Sequence, residues 1–251
     1  MFVNRYLKIR IILKTGRFTM EMKSFFNTNE NEINERKWNP YLGISINNKS
    51  FTIDYLTAYL NWASSRANQN YAIVVVDIIQ HINNQIFDKS KPLSAIDKAF
   101  RKADEIRKMC EQAQSLVDKN MLNNFVLIDW TDLLFDDNFS YNLDIIKEEY
   151  KTNFEFKNAL LQITKRNLGP IVNRLDDIKI EYLNEYLINE LPELISGFRY
   201  KGIHYNLNVY PGKIASIYAE LLEYDFFQKI ISKLHLIDEI ASVELYLENK
   251  Q

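Results

Sequence analysis

Ser45 lies in the stretch YLGISINNKSF, Tyr41 to Phe51, where a short apolar run closes on a glycine and a serine before a helical pattern begins. Ligands of α/β proteins collect at strand-to-helix crossings. A serine there can be a nucleophile, a phosphate contact or a turn and N-cap residue. A serine hydrolase would set its nucleophile in GxSxG with an orienting acid–histidine pair, and GISIN fails at the second glycine. His81, His204 and His235 are scattered without HExxH-like spacing, and the single cysteine, Cys110, excludes an internal disulfide or a multi-cysteine metal site. A second constellation is EYLNEYLINELPEL, in which Tyr186 and Glu190 stand four residues apart. That spacing places both on one face of a helix, for structure or for proton transfer. A third is a run of cations, Lys98, Arg101, Lys102 and Lys108, which fall within about one third of a helix circumference at 100° per residue. Asp97, Asp104 and Glu105 dilute that face. It therefore suits either i,i+4 ion pairing on a solvated helix or contacts to phosphates.

The elements that must position these residues alternate. Tyr41–Ile46 reads as a short strand and FTIDYLTAYLNWASSRA as a helix with apolar residues at helical spacing. YAIVVVDI is a β-branched run suited to a strand buried on both faces. Pro92 suits the first turn of a long helix, and Ala95, Ala99, Ala103, Ile106, Cys110 and Ala113 line the side that can face a sheet. NFVLIDW reads as a third strand. This β-α-β-α-β order predicts a parallel sheet with right-handed crossovers, an α/β, Rossmann-like fold. Helices are expected at about 142–165 and 172–195, then a β-rich passage GFRYKGIHYNLNVY, two more helices and an edge strand in SVELYLEN.

Composition narrows the function classes. The chain has 251 residues, 47% hydrophobic and 25% charged, as in a soluble globular protein. With a net charge of −2, any nucleic-acid contact must come from a local patch. The first 23 residues scatter six lysines and arginines among apolar residues, unlike a secretory signal, and no apolar run approaches the roughly 20 residues of a membrane span. Residues 1–35 are expected to be a basic arm and polar linker, and 36–251 one Rossmann-like catalytic domain. A cytoplasmic, metal-free protein is the expectation. The first turn, GISINNKS, lacks both GxGxxG and GxxxxGK[ST], and no HIGH-like or KMSKS-like sequence supports ATP use.

Taken together, NPYLGIS, the Tyr186–Glu190 pair followed by Leu191 and Pro192, the Tyr210–Pro211 pair and the basic helix resemble the cyclodipeptide synthase family over about residues 36–245. The family's first motif is His-x-aliphatic-aliphatic-Gly-x-Ser. Gly43 and Ser45 match it, whereas Asn39 stands for the histidine and Tyr41 for an aliphatic residue. Tyr210 and Pro211, with Asn48 at a third diagnostic position, fit the branch that carries a Tyr-Pro pair. The resemblance implies a fold like the catalytic domain of class I aminoacyl-tRNA synthetases. It implies an aminoacyltransferase that joins two amino acids from aminoacyl-tRNAs into a 2,5-diketopiperazine by a ping-pong route, with no metal, nucleotide or organic cofactor.

By the same resemblance, Ser45 is the nucleophile that accepts the first aminoacyl group, and Gly43 lets backbone approach the substrate. Tyr186 holds the α-ammonium group, Glu190 orients it and then acts as general base, and Tyr210 positions the dipeptidyl-enzyme. Asn48 and Pro211 belong to the substrate site, and Lys98, Arg101, Lys102 and Lys108 to a tRNA-binding helix. The Tyr41 ring, if directed as the aliphatic residue is, fills volume and favours a small first amino acid such as alanine or glycine. The alternative reading is a non-catalytic tRNA- or RNA-binding module on a synthetase-like scaffold, which has no use for Ser45 or Glu190.

Overall fold

The computed structural model describes residues 18–46, 48–212, 220–235 and 239–249. The basic cluster from Arg5 to Arg17 lies outside them. Strand β1 is Phe18–Phe26, helix α1 Glu30–Asn34, β2 Pro40–Ile44, α2 Ile53–Arg66, β3 Tyr71–Val75, α3 Gln80–Phe87, α4 Pro92–Ser115 and β4 Phe125–Asp129. Then come α5 Trp130–Leu133, α6 Asp137–Thr152, α7 Phe154–Leu168, α8 Asp177–Ser196, β5 Phe198–Tyr200, β6 Ile203–Tyr205, β7 Leu207–Tyr210, α9 Asp225–Ile231 and β8 Ala241–Asn249.

Six strands form the main sheet in the order β1-β8-β7-β2-β3-β4, parallel throughout except for β1, which runs antiparallel to β8. The chain lays down β2, β3 and β4 toward one edge and then returns to add β7 and β8 on the other side of β2. The direction of winding therefore reverses between β2 and β7. In open α/β sheets the crevice at that reversal, outside the carboxyl ends of the strands, is where ligands bind. Ser45 follows β2 directly and Tyr210 ends β7.

The sheet is buried on both faces, as the apolar run of β3 requires. Tyr41, Ala72 and Val74 point into a core shared with α6, α7 and α8, while Leu42, Ile44, Tyr71 and Ile73 point into a second core under α2 and α4. Helix α2 is tied to the strands by two phenols. Tyr55 donates to the Leu245 carbonyl at 2.9 Å and Tyr59 to the Ala72 carbonyl at 2.7 Å. Helix α4 begins with Pro92, as expected, and buries Ala95, Ala99, Ala103, Cys110 and Ala113. Their small side chains let the helix lie close to the sheet.

Several boundaries differ from the sequence reading. Residues 18–26 are not an arm: they pair with β8 as the outermost strand, so β8 is covered rather than an edge. The polar stretch after them carries α1, capped by the Asn29 side chain, which accepts from the Glu32 amide at 3.1 Å. The chain thus joins the domain well before residue 36. The helix expected at 142–165 is two helices, because Asn153 ends α6 and caps α7 by accepting from the Phe156 amide. In GFRYKGIHYNLNVY, β5 and β6 form a separate hairpin and only β7 enters the main sheet. Lys201 and Gly202 both have positive φ, 49° and 81°, which matches the handedness tight hairpin turns need. No helix among the described residues is long and apolar enough to cross a membrane.

Candidate active site

The strand β2 delivers Gly43 and then Ser45 to the mouth of a cavity of about 470 Å³. The turn after β2 is held by its own backbone, with the Asn48 amide donating to the Ser45 carbonyl at 3.0 Å. The cap of α2 is Thr52, whose hydroxyl accepts from the Tyr55 amide at 3.1 Å. Ser45 is therefore not spent on capping. Its side chain lines the cavity alongside Tyr186 instead.

Helix α8 closes the cavity from above. Tyr186, Glu190 and Glu193 fall on one stripe of it at i, i+4 and i+7. All three of Ser45, Tyr186 and Glu190 line the cavity. Burial raises the Tyr186 phenol well above its ordinary range, the neighbouring Glu190 carboxyl adds to the rise and the Ser45 hydroxyl opposes it, so the phenol has both as neighbours. Burial pushes the Glu190 carboxyl up to about 8, the neighbouring Glu193 adds to the rise, and the Tyr186 hydrogen bond opposes it. Burial likewise raises the Glu193 carboxyl to about 7, against the hydrogen bonds from Tyr41 and Asn208. Among the described residues no lysine, arginine or histidine forms an ion pair with either carboxyl. A carboxyl near pH 7 to 8, set against a phenol and a hydroxyl, is suited to moving protons.

Tyr210 also lines the cavity, and the Asn48 side chain donates to its phenol oxygen at 3.0 Å. The Tyr210 ring stands edge-on to Phe51, centroids 5.6 Å apart. Gly43 lines the cavity too, and a Cβ built on it would meet no atom within 4 Å. The protein itself does not require glycine there; the open space belongs to the cavity. Pro211 follows β7 without lining the cavity.

Tyr41 departs from expectation. Its ring is fully buried, edge-on to Phe198 with centroids 4.9 Å apart, and it does not line the cavity. Only its hydroxyl approaches the site, donating to the Glu193 carbonyl at 3.3 Å and accepting from the Asn208 side chain at 3.2 Å. The premise that its ring crowds out larger substrates therefore fails. Asn39, at the position of the family's histidine, is a structural clasp. Its amide donates to the His204 carbonyl at 2.9 Å, and its oxygen accepts from the Gln69 and Asn70 amides. His81 is held by the Ile78 carbonyl and His204 by the Ser196 carbonyl, and no histidine lines the cavity.

The cations of α4 are not equivalent. Lys98 pairs with Asp88 and Arg101 with Asp97, Lys102 is half-buried, and Lys108 is exposed. Arg107 turns inward to Asp104, to Asp129 at 2.9 Å and to the buried Asp77 at 3.6 Å. Asp77 also accepts from the Thr131 amide and hydroxyl. This network, which sequence reading missed, fastens the helix to the carboxyl ends of β3 and β4. Glu193 and Asn208 were missed as well. For Glu193 the signal was available, since it continues the Tyr186–Glu190 stripe by one more turn.

Residues 24–225 match the sequence profile of the family described as cyclodipeptide synthase. No curated protein is similar enough in sequence to match. Among solved structures, the chain is similar to a cyclodipeptide synthase from Fluoribacter dumoffii, with a TM-score of 0.65 and 17% identity over 93% of this chain and 100% of that one. It is also similar to a Mycobacterium tuberculosis protein described as relating cyclodipeptide synthetases to type I tRNA synthetases, with a TM-score of 0.68 and 13% identity over 93% and 94% of the two chains. A third is the enzyme from Candidatus Glomeribacter gigasporarum bound to Phe-tRNAPhe, with a TM-score of 0.53 and 16% identity over 85% and 88%. These likenesses establish the synthetase-like fold, and with the profile matched over most of its length the chain belongs to the cyclodipeptide synthase family.

Proposed function

We propose that this cyclodipeptide synthase draws both amino acids from aminoacyl-tRNAs and passes the first through an ester on Ser45. The observation that carries the reading is the placement of Ser45, Tyr186 and Glu190 on one cavity, with the phenol neighbouring both the hydroxyl and the carboxyl. A serine with no histidine partner needs another route for its proton, and this row of groups supplies one when substrate draws it together. The Ser45 oxygen attacks the aminoacyl ester while its proton moves to Tyr186 and the Tyr186 proton moves to the Glu190 carboxylate. The bond to the ribose oxygen breaks, and a proton returns to that oxygen as the tRNA leaves.

Glu190 and Tyr186 then hold the α-ammonium of the ester-bound residue. Once Glu190 has taken a proton from it, the amine attacks the carbonyl of the second aminoacyl-tRNA; the bond from that carbonyl to the ribose oxygen breaks, and the second tRNA leaves as a proton returns to that oxygen. The amine of the resulting dipeptidyl ester closes on the carbonyl attached to Ser45, releasing the ring and restoring the serine. Tyr210, aligned by Asn48, faces the same cavity and steadies the dipeptidyl ester. Asn48, Tyr210 and Pro211 support placement in the Tyr-Pro branch. Exposed Lys108 together with Lys98, Arg101 and Lys102 supports a tRNA-binding role for α4. The similar enzyme bound to Phe-tRNAPhe supports the substrate class.

Two measurements test the reading. Expression in a bacterial host, with mass spectrometry of the medium, should detect a cyclic dipeptide. Radiolabelled aminoacyl-tRNA should label the wild-type protein and not Ser45→Ala. Equal labelling of both proteins would overturn the ester on Ser45.

A further inference from the structure

Glu193 is the carboxyl that this mechanism does not use. It lies one helical turn beyond Glu190 on α8, is only 6% exposed, and lines the same cavity. Its Oε1 accepts from the Asn208 side chain at 2.7 Å, and no cation of the described residues pairs with it. Asn208 is 3% exposed, and both of its amide hydrogens are committed, one to Glu193 and one to the Tyr41 hydroxyl. Its carbonyl oxygen, Oδ1, has no partner among the described residues. Tyr41 and Asn208 are direct partners across β2 and β7, so this polar group sits below Gly43, deeper along the strands than Ser45. A buried carboxyl without a cation and a buried carbonyl without a donor are both costly unless a ligand completes them. The open space over Gly43 leads from the nucleophile to this polar floor.

Resting on the Ser45 reading, we infer that Glu193 and Asn208 form the side-chain site for an aminoacyl group with a long basic side chain, of lysine or arginine type. Both unmet needs are for donated protons, and that of the carboxyl is also for positive charge, which aliphatic and aromatic side chains lack. The depth of the site fits a side chain that reaches past Gly43. A site built around buried acceptors rejects partners without donors because its own polar groups are then left unpaired.

The test offers the purified enzyme bacterial tRNAs charged with lysine, arginine, histidine, leucine, phenylalanine or alanine, and reads cyclic dipeptides by mass spectrometry. The wild type should incorporate lysine or arginine over leucine by roughly 10–100-fold, the cost of leaving a buried polar group unsatisfied. Glu193→Gln, which keeps shape, should erase most of that preference, and Glu193→Leu should turn the product toward aliphatic residues. A wild type that makes chiefly dileucine, diphenylalanine or dialanine rings overturns the inference, as does an unchanged product mixture in Glu193→Gln. Product composition does not depend on the covalent route. Absence of label on Ser45 therefore overturns the ester alone, and a non-basic product overturns the Glu193 site alone.

Discussion

The Asn48 side chain donates to the phenol oxygen of Tyr210 at 3.0 Å, joining the turn after β2 to the end of β7 across the point where the sheet reverses its winding. The Asn48 oxygen also accepts from the Ser50 amide at 2.9 Å, which fixes the side chain from the other end. Asn48 is thus a positioning residue for Tyr210. In Asn48→Ala the phenol is free to turn, and ring closure should slow by about tenfold, the effect of losing roughly one oriented hydrogen bond. Labelling of Ser45 should stay near the wild-type rate. Single-turnover kinetics would separate the two steps, and equal slowing of both would place Asn48 in the first half-reaction.

Tyr186→Phe keeps the ring in its packing and removes the oxygen that neighbours both Ser45 and Glu190. If the proton travels by this route, Ser45 labelling should slow by about 10²-fold, a common magnitude for general acid–base assistance. Unchanged thermal unfolding would show that the loss is chemical.

Titration of Glu190 and Glu193 should appear in both rate and stability. Glu190 works as its carboxylate, so turnover should rise from about pH 7, reach half its maximum near pH 8 and level off above about pH 9. Stability should move the other way. Both carboxyls titrate in the fold above their ordinary range, so the fold favours their protonated forms. That contribution is complete below about pH 4.5 and is lost as pH rises through about 7 to 8. Glu193→Gln removes one such group and should lessen the loss between pH 5.5 and 8.5 by on the order of 2 kcal/mol. Urea unfolding at the two pH values measures it.

On α4 Lys98 and Arg101 are held by ion pairs, while Lys108 is exposed. Arg101→Ala with Lys102→Ala should raise KM for aminoacyl-tRNA. The slope of log affinity against log salt should fall by about 0.7–0.9 for each phosphate that the double variant no longer neutralises. Asp97→Asn should act oppositely, because it releases Arg101 from its partner at 3.2 Å. An unchanged salt slope in the double variant would make α4 an ordinary solvated helix.

Much of this was legible in the sequence because it is written in local patterns. The β-branched run of β3, the alanine face of α4 and the Tyr186–Glu190 spacing each report a short-range periodicity, and each element formed as its pattern required. Long-range pairing was not legible. Nothing local in residues 18–26 says that β8 awaits them, and nothing in LNVY says that Asn208 faces a buried carboxyl. The direction of the Tyr41 ring was left open by the sequence for the same reason. An aromatic ring at the edge of a pocket can fill it or pack away from it, and Phe198, distant in sequence, decides.

Gly43 gives the sharpest separation of fold from function. Its backbone is not left-handed, and an added Cβ meets no protein atom within 4 Å, so the fold has no steric objection to alanine. Glycine within a strand costs roughly 0.5–1 kcal/mol relative to alanine through the freedom it loses on folding. Gly43→Ala should therefore leave Tm unchanged or raise it by a few degrees. The same methyl group would project into the cavity between Ser45 and the Glu193–Asn208 floor, where the aminoacyl group must pass. Overpacking of a fitted site costs about 1–3 kcal/mol, so turnover should fall by about 10- to 100-fold while the protein remains as stable as before. A Gly43→Ala enzyme with full turnover would mean that the substrate does not run over this strand, and that the space above Gly43 is not the route to Glu193.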